Sequence, residues 1–181
     1  MTGRLDIIIG CMFSGKSTEM IRLINRTQII NKKTIIVNSD KDNRYGESVI
    51  STHNLDQVNC LSVSRLNDLY EHKDFKDTNV IFIEEAQFFD DLYSFCVDCA
   101  DNHNKHLVIC GLDGDYLRNP FGDILKLIPH AESVTKLNAL CSICKNGTIG
   151  NFTKRIINNS HQTLVGSTDL YRAVCRKHYL E

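Results

Sequence analysis

The sequence predicts an α/β protein: a parallel sheet flanked by helices, followed by a small second domain. Three observations carry that reading. Short apolar runs ("LDIIIG", "KTIIVNS", "NVIFIEEA", "HLVICGLDG") alternate with helical patterns, as strands buried on both faces do. A glycine-bounded loop, "GCMFSGKS", joins the first run to the first helix. From about Asn138 onward the chain becomes polar and turn-rich, and it carries two paired patterns, Cys141-x-x-Cys144 and Cys175-x-x-His178.

Taken in order, "LDIIIG" is the first strand, and the helix after the glycine loop runs to about Ile30 with Met20, Ile21, Leu23 and Ile24 as its apolar stripe. "KTIIVNS" is the second strand, "SDKDNRYGES" a polar loop and "VNCLSV" a third strand. "SRLNDLYEH" reads as a helix capped by Ser64. "NVIFIEEA" is the fourth strand, "DDLYSFCVDCADNH" a helix, and "HLVICGLDG" the fifth strand, ended by a turn at Asp113-Gly114. Ligands of such folds sit outside the carboxyl ends of the strands, which directs attention to the loops after Ile9, Ile83 and Leu112. The expected division is residues 1–138 and 139–181.

With 181 residues, 42% of them hydrophobic and 24% charged, the chain can bury a core without disulfides. Its net charge of -1 and pI of about 6.6 give no general attraction to nucleic acid or an anionic membrane, so neither is an expected partner. No stretch approaches the roughly 20 apolar residues of a membrane span. Asp6 breaks the first apolar run, so it is no signal-peptide core. Eight cysteines without an export signal predict reduced thiols and a cytoplasmic protein. The sequence ends three residues after His178, which predicts no long regulatory tail.

Gly10 to Ser17 is G-x-x-x-x-G-K-[ST] between a strand and a helix, the context of a P-loop. Backbone N–H groups and the helix N-terminus face a polyphosphate there, Lys16 reaches its outer phosphates, and Ser17 offers a hydroxyl to Mg²⁺. The expected nucleotide site is Gly10, Cys11, Met12, Phe13, Ser14, Gly15, Lys16, Ser17 and Thr18, with Glu84. In "IFIEEAQFF" the two acids should point to opposite faces if the strand continues through them. Glu84, ending a buried strand beside the P-loop, is placed to serve Mg²⁺. Glu85 is then free to accept a proton from an acceptor hydroxyl. Arg44 lies in the polar loop, where a guanidinium could fold over a transferring phosphoryl group.

Cys141, Cys144, Cys175 and His178 make a Cys₃His set for a structural Zn²⁺, closed by four protein ligands. A second set, Cys96, Cys99, His103 and His106, imitates that spacing. Its offsets lie on one face of one helix, which cannot wrap an ion tetrahedrally. A core-facing Cys stripe is the better reading.

These residues resemble the zinc-containing thymidine kinases shared by many cells and large DNA viruses, poxviruses included. The resemblance rests on "GCMFSGKSTEMIR", "DNRYG", "THN", "VIFIEEAQFFDDL", "GLDGDYLRNPFGDILKLIPHAESVTKLNALCSIC", "FTKR" and "VGSTDLYRAVCRKHY", in the family's order and over nearly the whole chain. It implies transfer of the ATP γ-phosphate to the 5′-hydroxyl of thymidine. It implies a RecA-like P-loop domain, a zinc domain with a nucleoside-covering lasso loop, a homotetramer, and feedback inhibition by dTTP. By the same resemblance Glu85 is the catalytic base, and Arg44 and Lys16 stand beside the reacting phosphates. Met12, Phe88, Leu112, Phe121, Thr153 and Tyr171 form the nucleoside pocket, and Leu164, Val165, Gly166, Ser167 and Thr168 present lasso backbone to the pyrimidine edge. The alternative is a P-loop ATPase with a nucleic-acid-binding zinc ribbon; the neutral charge and the absence of a basic, aromatic stripe near the knuckles weigh against it.

Several positions depart from the family's pattern. Glu84 stands for the usual Asp, Cys11 for Pro, and His178 for the fourth Cys, while Ser167 and Asp115 also differ. Cys₃His still satisfies zinc. Cys11, beside a positive loop, is expected to be a reactive thiol.

Overall fold

The computed structural model describes residues 2–41, 49–51, 57–157, 161–162, 164, 166 and 169–181. In chain order the elements are β1 (Arg4–Gly10), α1 (Lys16–Ile29), β2 (Thr34–Ser39), β3 (Val49–Ser51), β4 (Gln57–Asn59), β5 (Leu61–Val63), β6 (Val80–Ile83), α2 (Leu92–Asp101), β7 (His106–Leu112), β8 (Ser133–Leu137), β9 (Ala139–Leu140), β10 (Ile149–Gly150), β11 (Phe152–Arg155), β12 (Tyr171–Val174) and α3 (Arg176–Leu180). Short 3₁₀ turns occupy Leu66–Glu71, Ala86–Phe88 and Ile124–His130.

Six strands form one sheet in the order β5-β2-β6-β7-β1-β8, and every pairing in it is parallel. Strand alternation sorts its side chains onto two cores. Leu5, Ile7, Ile9, Ile81, Ile83, Leu107 and Ile109 face Phe89, Leu92, Phe95, Cys96 and Cys99 of the α2 layer. Ile8, Ile36, Val80, Phe82, Val108 and Cys110 face Met20, Ile21 and Ile24 of α1. The unbroken apolar runs are thus explained: each face has its own helical cover. At roughly 1.5–3 kcal/mol per fully buried large apolar side chain, these layers dominate the stability of the sheet.

The register brings the strand ends together. Gly10 lies opposite Leu112 on one side and Leu137 on the other, while Ile83 lies opposite Ile109. β6 therefore stops short of its neighbours, leaving a notch that the next residues fill.

Four elements differ from the sequence reading. "VNCLSV" breaks at Cys60 into β4, which pairs antiparallel with β3, and β5, which joins β2 in the main sheet. "SRLNDLYEH" forms a 3₁₀ turn whose N-cap is Arg65, without a side-chain cap of its own. The Asp91 carboxylate accepts from the Leu66 and Asn67 N–H groups instead, at 3.2 and 2.9 Å. A distant acid thus does the work expected of Ser64. The fourth strand ends at Ile83 rather than running through the two glutamates. β8, unanticipated, closes the sheet edge beside β1.

Beyond Leu137 the strands no longer join the main sheet. β9–β10 and β11–β12 are separate antiparallel ladders. Their shared apolar cluster consists of Cys11, Ala139 and Ala173, with Phe13 packed against it. No helix of the described residues is long and apolar enough to cross a membrane.

Candidate active site

The loop after β1 owes its shape to its glycines and to what crowds them. A Cβ on Gly10 would lie 2.5 Å from the Leu137 carbonyl oxygen. Gly15, with open space around it, sits at φ 85°, where a side chain is strained whatever the room. α1 begins at the next residue, so its free N–H groups face the loop. Lys16 Nζ and Ser14 Oγ each donate to the Cys11 carbonyl at 2.9 Å.

Glu84 fills the notch left by β6. It is 4% exposed, and its Oε1 accepts from Ser17 Oγ at 2.5 Å. Its Oε2 is buried with no hydrogen-bond partner among the described residues, and the Cys110 thiol, a weak donor, interacts with the carboxyl group. Burial first, then the neighbouring Glu85, push the Glu84 carboxyl up to about 7. A buried orphan oxygen next to a hydroxyl is the hard donor set that Mg²⁺ takes, and a bound cation would restore the ionised carboxylate.

Glu85 sits at φ 49°, ψ 42°, a left-handed conformation that costs a non-glycine residue about 1–2 kcal/mol. The strand stops at Ile83 and this turn follows, so strand alternation does not govern the directions of the two glutamates. Gln87 Nε2 donates to Glu85 Oε2 at 2.5 Å, and Gln87 Oε1 accepts from the Leu112 N–H at 3.0 Å. Phe88 follows and meets Phe121 edge-on, the rings 5.6 Å apart.

The C-terminal ladders are tied into this edge. The Met12 N–H donates to Thr153 Oγ1 at 3.0 Å, and the Cys11 thiol to the Gly150 carbonyl at 3.3 Å. Cys11 is 3% exposed, and burial, the largest influence on it, raises its thiol above the usual range. The expected reactive thiol is therefore a buried packing residue: contact with β10 outweighs the positive loop. A cavity of about 260 Å³ opens alongside, bordered by Cys11, Asp113, Arg118, Lys136, Asn151 and Thr153.

Arg155, which the sequence reading passed over, braces the segment before β12. It donates to the His161 and Gln162 carbonyls and to the Tyr171 hydroxyl, and its guanidinium lies 3.7 Å from the Tyr116 ring centre. Tyr171 in turn donates to the Leu164 carbonyl at 2.7 Å. Gln162 Nε2 donates to the buried Asp115 at 2.9 Å, so the same segment is also pinned to the loop after β7. Gly166 packs against Leu170. Arg44, Val165, Ser167 and Thr168 lie outside the described residues.

Cys141, Cys144, Cys175 and His178 converge, their ligand atoms all within 4.8 Å of one another. His178 Nδ1 lies 3.6, 3.4 and 3.3 Å from the sulfurs of Cys141, Cys144 and Cys175, and the Cys144 and Cys175 sulfurs are 3.8 Å apart. A tetrahedral zinc with ordinary Zn–S and Zn–N bonds requires about 3.8 Å between sulfurs and about 3.5 Å from sulfur to nitrogen. Burial pushes the Cys141 thiol up, yet the backbone N–H groups of Cys144, Cys175 and Ile143, with His178, outweigh it and bring it down to about 5. A thiolate is the form a metal needs.

The imitating set does not converge. Cys96 and Cys99 are buried in the α2 core, while His103 meets Asp98 at 3.1 Å and His106 meets Asp6 at 2.7 Å. Among the described residues, the Cys₃His group is the one metal-capable cluster of His, Cys, Asp and Glu.

The sequence as a whole matches a known family. The family model described as "Thymidine kinase" matches residues 3–179. A thymidine kinase of myxoma virus (strain Uriarra) is 43% identical, the alignment covering 98% of this chain and 96% of the viral one. That of Yaba monkey tumor virus is 42% identical over 99% and 96% of the two chains. A thymidine kinase of rice is 40% identical, with 99% of this chain matching 67% of the plant protein.

Proposed function

This chain belongs to the thymidine kinase family, its activity is phosphoryl transfer from ATP to thymidine, and we propose that the P-loop edge of its sheet carries the reaction. One observation supports that placement above the others: Lys16, Ser17, Glu84 and Glu85 meet at the carboxyl ends of β1 and β6, with Ser17 and Glu84 in direct contact.

Phosphoryl transfer asks for positioning and charge neutralisation more than covalent help. Lys16 exchanges the Cys11 carbonyl for the outer phosphates of ATP. Ser17 and Glu84 hold Mg²⁺, which when bound neutralises charge on the phosphate oxygens. Glu85 aligns the thymidine 5′-hydroxyl and takes its proton as the new oxygen–phosphorus bond forms and the bond to ADP breaks. Arg44 is the cation assigned to the transferring group. Met12, Phe88, Leu112, Phe121, Thr153 and Tyr171 enclose the nucleoside, and the backbone from Leu164 to Thr168, Val165 and Ser167 included, reads the base edge. A closed lasso excludes water and limits idle ATP hydrolysis.

The reading extends to a structural Zn²⁺ on Cys141, Cys144, Cys175 and His178, which anchors a lasso domain of residues 139–181 to a catalytic domain of residues 1–138. It also extends to a homotetramer in the cytoplasm, inhibited by dTTP. The test is ATP consumption with each nucleoside and then with single-stranded DNA. Thymidine-dependent formation of dTMP is expected. Hydrolysis stimulated by DNA without nucleoside phosphorylation contradicts the reading.

A further inference from the structure

The residue between the two halves of this site is Gln87, a buried polar side chain in an otherwise apolar stretch, 4% exposed. Its amide has one arrangement that satisfies both partners. The Leu112 N–H can only donate, so the atom facing it, at 3.0 Å, is the oxygen Oε1. Nε2 then points to Glu85 Oε2 at 2.5 Å and donates to it. The flip ambiguity of a glutamine amide is removed by the backbone group at one end.

The surroundings are built around that side chain. A Cβ on Gly111 would lie 2.6 Å from Gln87 Oε1, so only glycine leaves space for the amide at the end of β7. A Cβ on Gly122, which has φ 61°, would strike the Gln87 backbone. Two glycines on two segments thus admit one glutamine. Gln87 also lies within the 3₁₀ turn that directly follows the left-handed Glu85.

We propose that Gln87 is a positioning residue: it clamps the Glu85 carboxylate to the end of β7 and so fixes the base relative to the nucleoside pocket that Leu112 borders. This rests on the assignment of Glu85 as the base. The clamp has a direct physical purpose. Glu85 is half-buried on a left-handed turn, and a misplacement of its carboxylate by about 1 Å from the reacting hydroxyl can cost about 10²-fold in rate. A charge-assisted hydrogen bond from a buried amide, itself held by the Leu112 N–H, restrains that carboxylate.

The experiment is a double-mutant cycle in the full-length protein. Q87M removes both hydrogen bonds at nearly constant volume. Q87E keeps an oxygen for the Leu112 N–H and loses the amide donor, and it carries the test if Q87M does not fold. Each is measured alone and on an E85Q background, with zinc content and thermal midpoint as controls for folding. In the Glu85 background kcat is expected to fall about 10- to 100-fold, with KM for ATP changed less than about threefold. On E85Q the same substitutions are expected to change kcat less than about twofold, because the group they orient is already gone. An equal loss in both backgrounds, or no loss in a folded Q87 variant, overturns the clamp while leaving Glu85 as the base. Full activity of E85Q alone overturns both.

Discussion

The two ends of this chain reach order by different means. The sheet has two helix-covered cores, in which Phe82, Phe89, Phe95, Ile81, Ile83 and Met20 are fully or almost fully buried. The C-terminal ladders have a smaller apolar cluster, in which Ala139 and Ala173 meet Cys11 of the P-loop, and Cys141, Tyr171 and Val174 are buried beside it. Two-stranded ladders are marginal in water by themselves. What gathers them is the Cys₃His cluster, the Arg155 brace and the hydrogen bonds to the P-loop. The P-loop edge is therefore held by burial, and the ladders by convergent Cys₃His side chains and a few polar ties as much as by burial.

The largest expected effect breaks the weaker region. Cys144→Ala, or zinc withdrawal by a chelator, is expected to melt the ladders and lower thymidine turnover at least about 100-fold, since structural zinc commonly supplies about 10–16 kcal/mol of apparent binding free energy. Amide exchange should rise across residues 139–157 and 169–181, while protection in β1, β6 and β7 persists. Loss of protection in both regions together would show that the two are a single cooperative unit.

Next in size is the division of labour between the glutamates. Glu85→Gln is expected to lower kcat about 10²- to 10⁴-fold with nucleotide affinity kept. Glu84→Asp should retain most activity, because a shorter carboxylate still reaches the cation through water. Equal losses in steady-state kinetics would refute the separate roles.

A pH experiment sharpens the same contrast from the rigid side. The folded-state value of Glu84 is raised to about 7 from the ordinary 4.5. Its neutral form is favoured by folding, so its stabilising contribution is complete below about pH 4.5 and is lost as pH rises through about 7. In magnesium-free buffer the thermal midpoint of Glu84→Gln should gain on the wild type between pH 5 and pH 8. Mg²⁺ with ATP should cancel that gain. A constant difference between the two proteins over that range contradicts the assignment.

The smallest effect concerns the base. One methyl is worth about 1–3 kcal/mol in an apolar pocket, so deoxyuridine should be phosphorylated with kcat/KM about 10- to 200-fold below thymidine. Purine deoxynucleosides should fall much further, because buried backbone groups would be left without partners. Comparable kcat/KM values for thymidine and a purine nucleoside would rule out backbone readout.

What the sequence made legible was local. "GCMFSGKS" lies between a strand and a helix because both flanks and the loop are encoded within a few residues. The paired Cys and His pattern converges because each knuckle is itself a short turn. What remained hidden depends on residues far apart in the chain. Asp91 caps the turn at Leu66, so Ser64 was the wrong candidate. Cys11 is shielded by Gly150, which no reading of the loop's charge could show. Gln87 stood in plain view inside "EEAQFF", and its one signal was a polar residue amid buried neighbours. Glu84 and Glu85 take different partners, Ser17 and Gln87, across a left-handed turn that apolar periodicity does not encode.

The most direct test is a crystal structure with thymidine and a non-hydrolysable ATP analogue bound. A Glu85 carboxylate oxygen is expected about 2.6–3.2 Å from the 5′-oxygen, with the terminal phosphate on that oxygen's far side. A 5′-hydroxyl directed elsewhere, with Glu85 turned to solvent, would contradict the account.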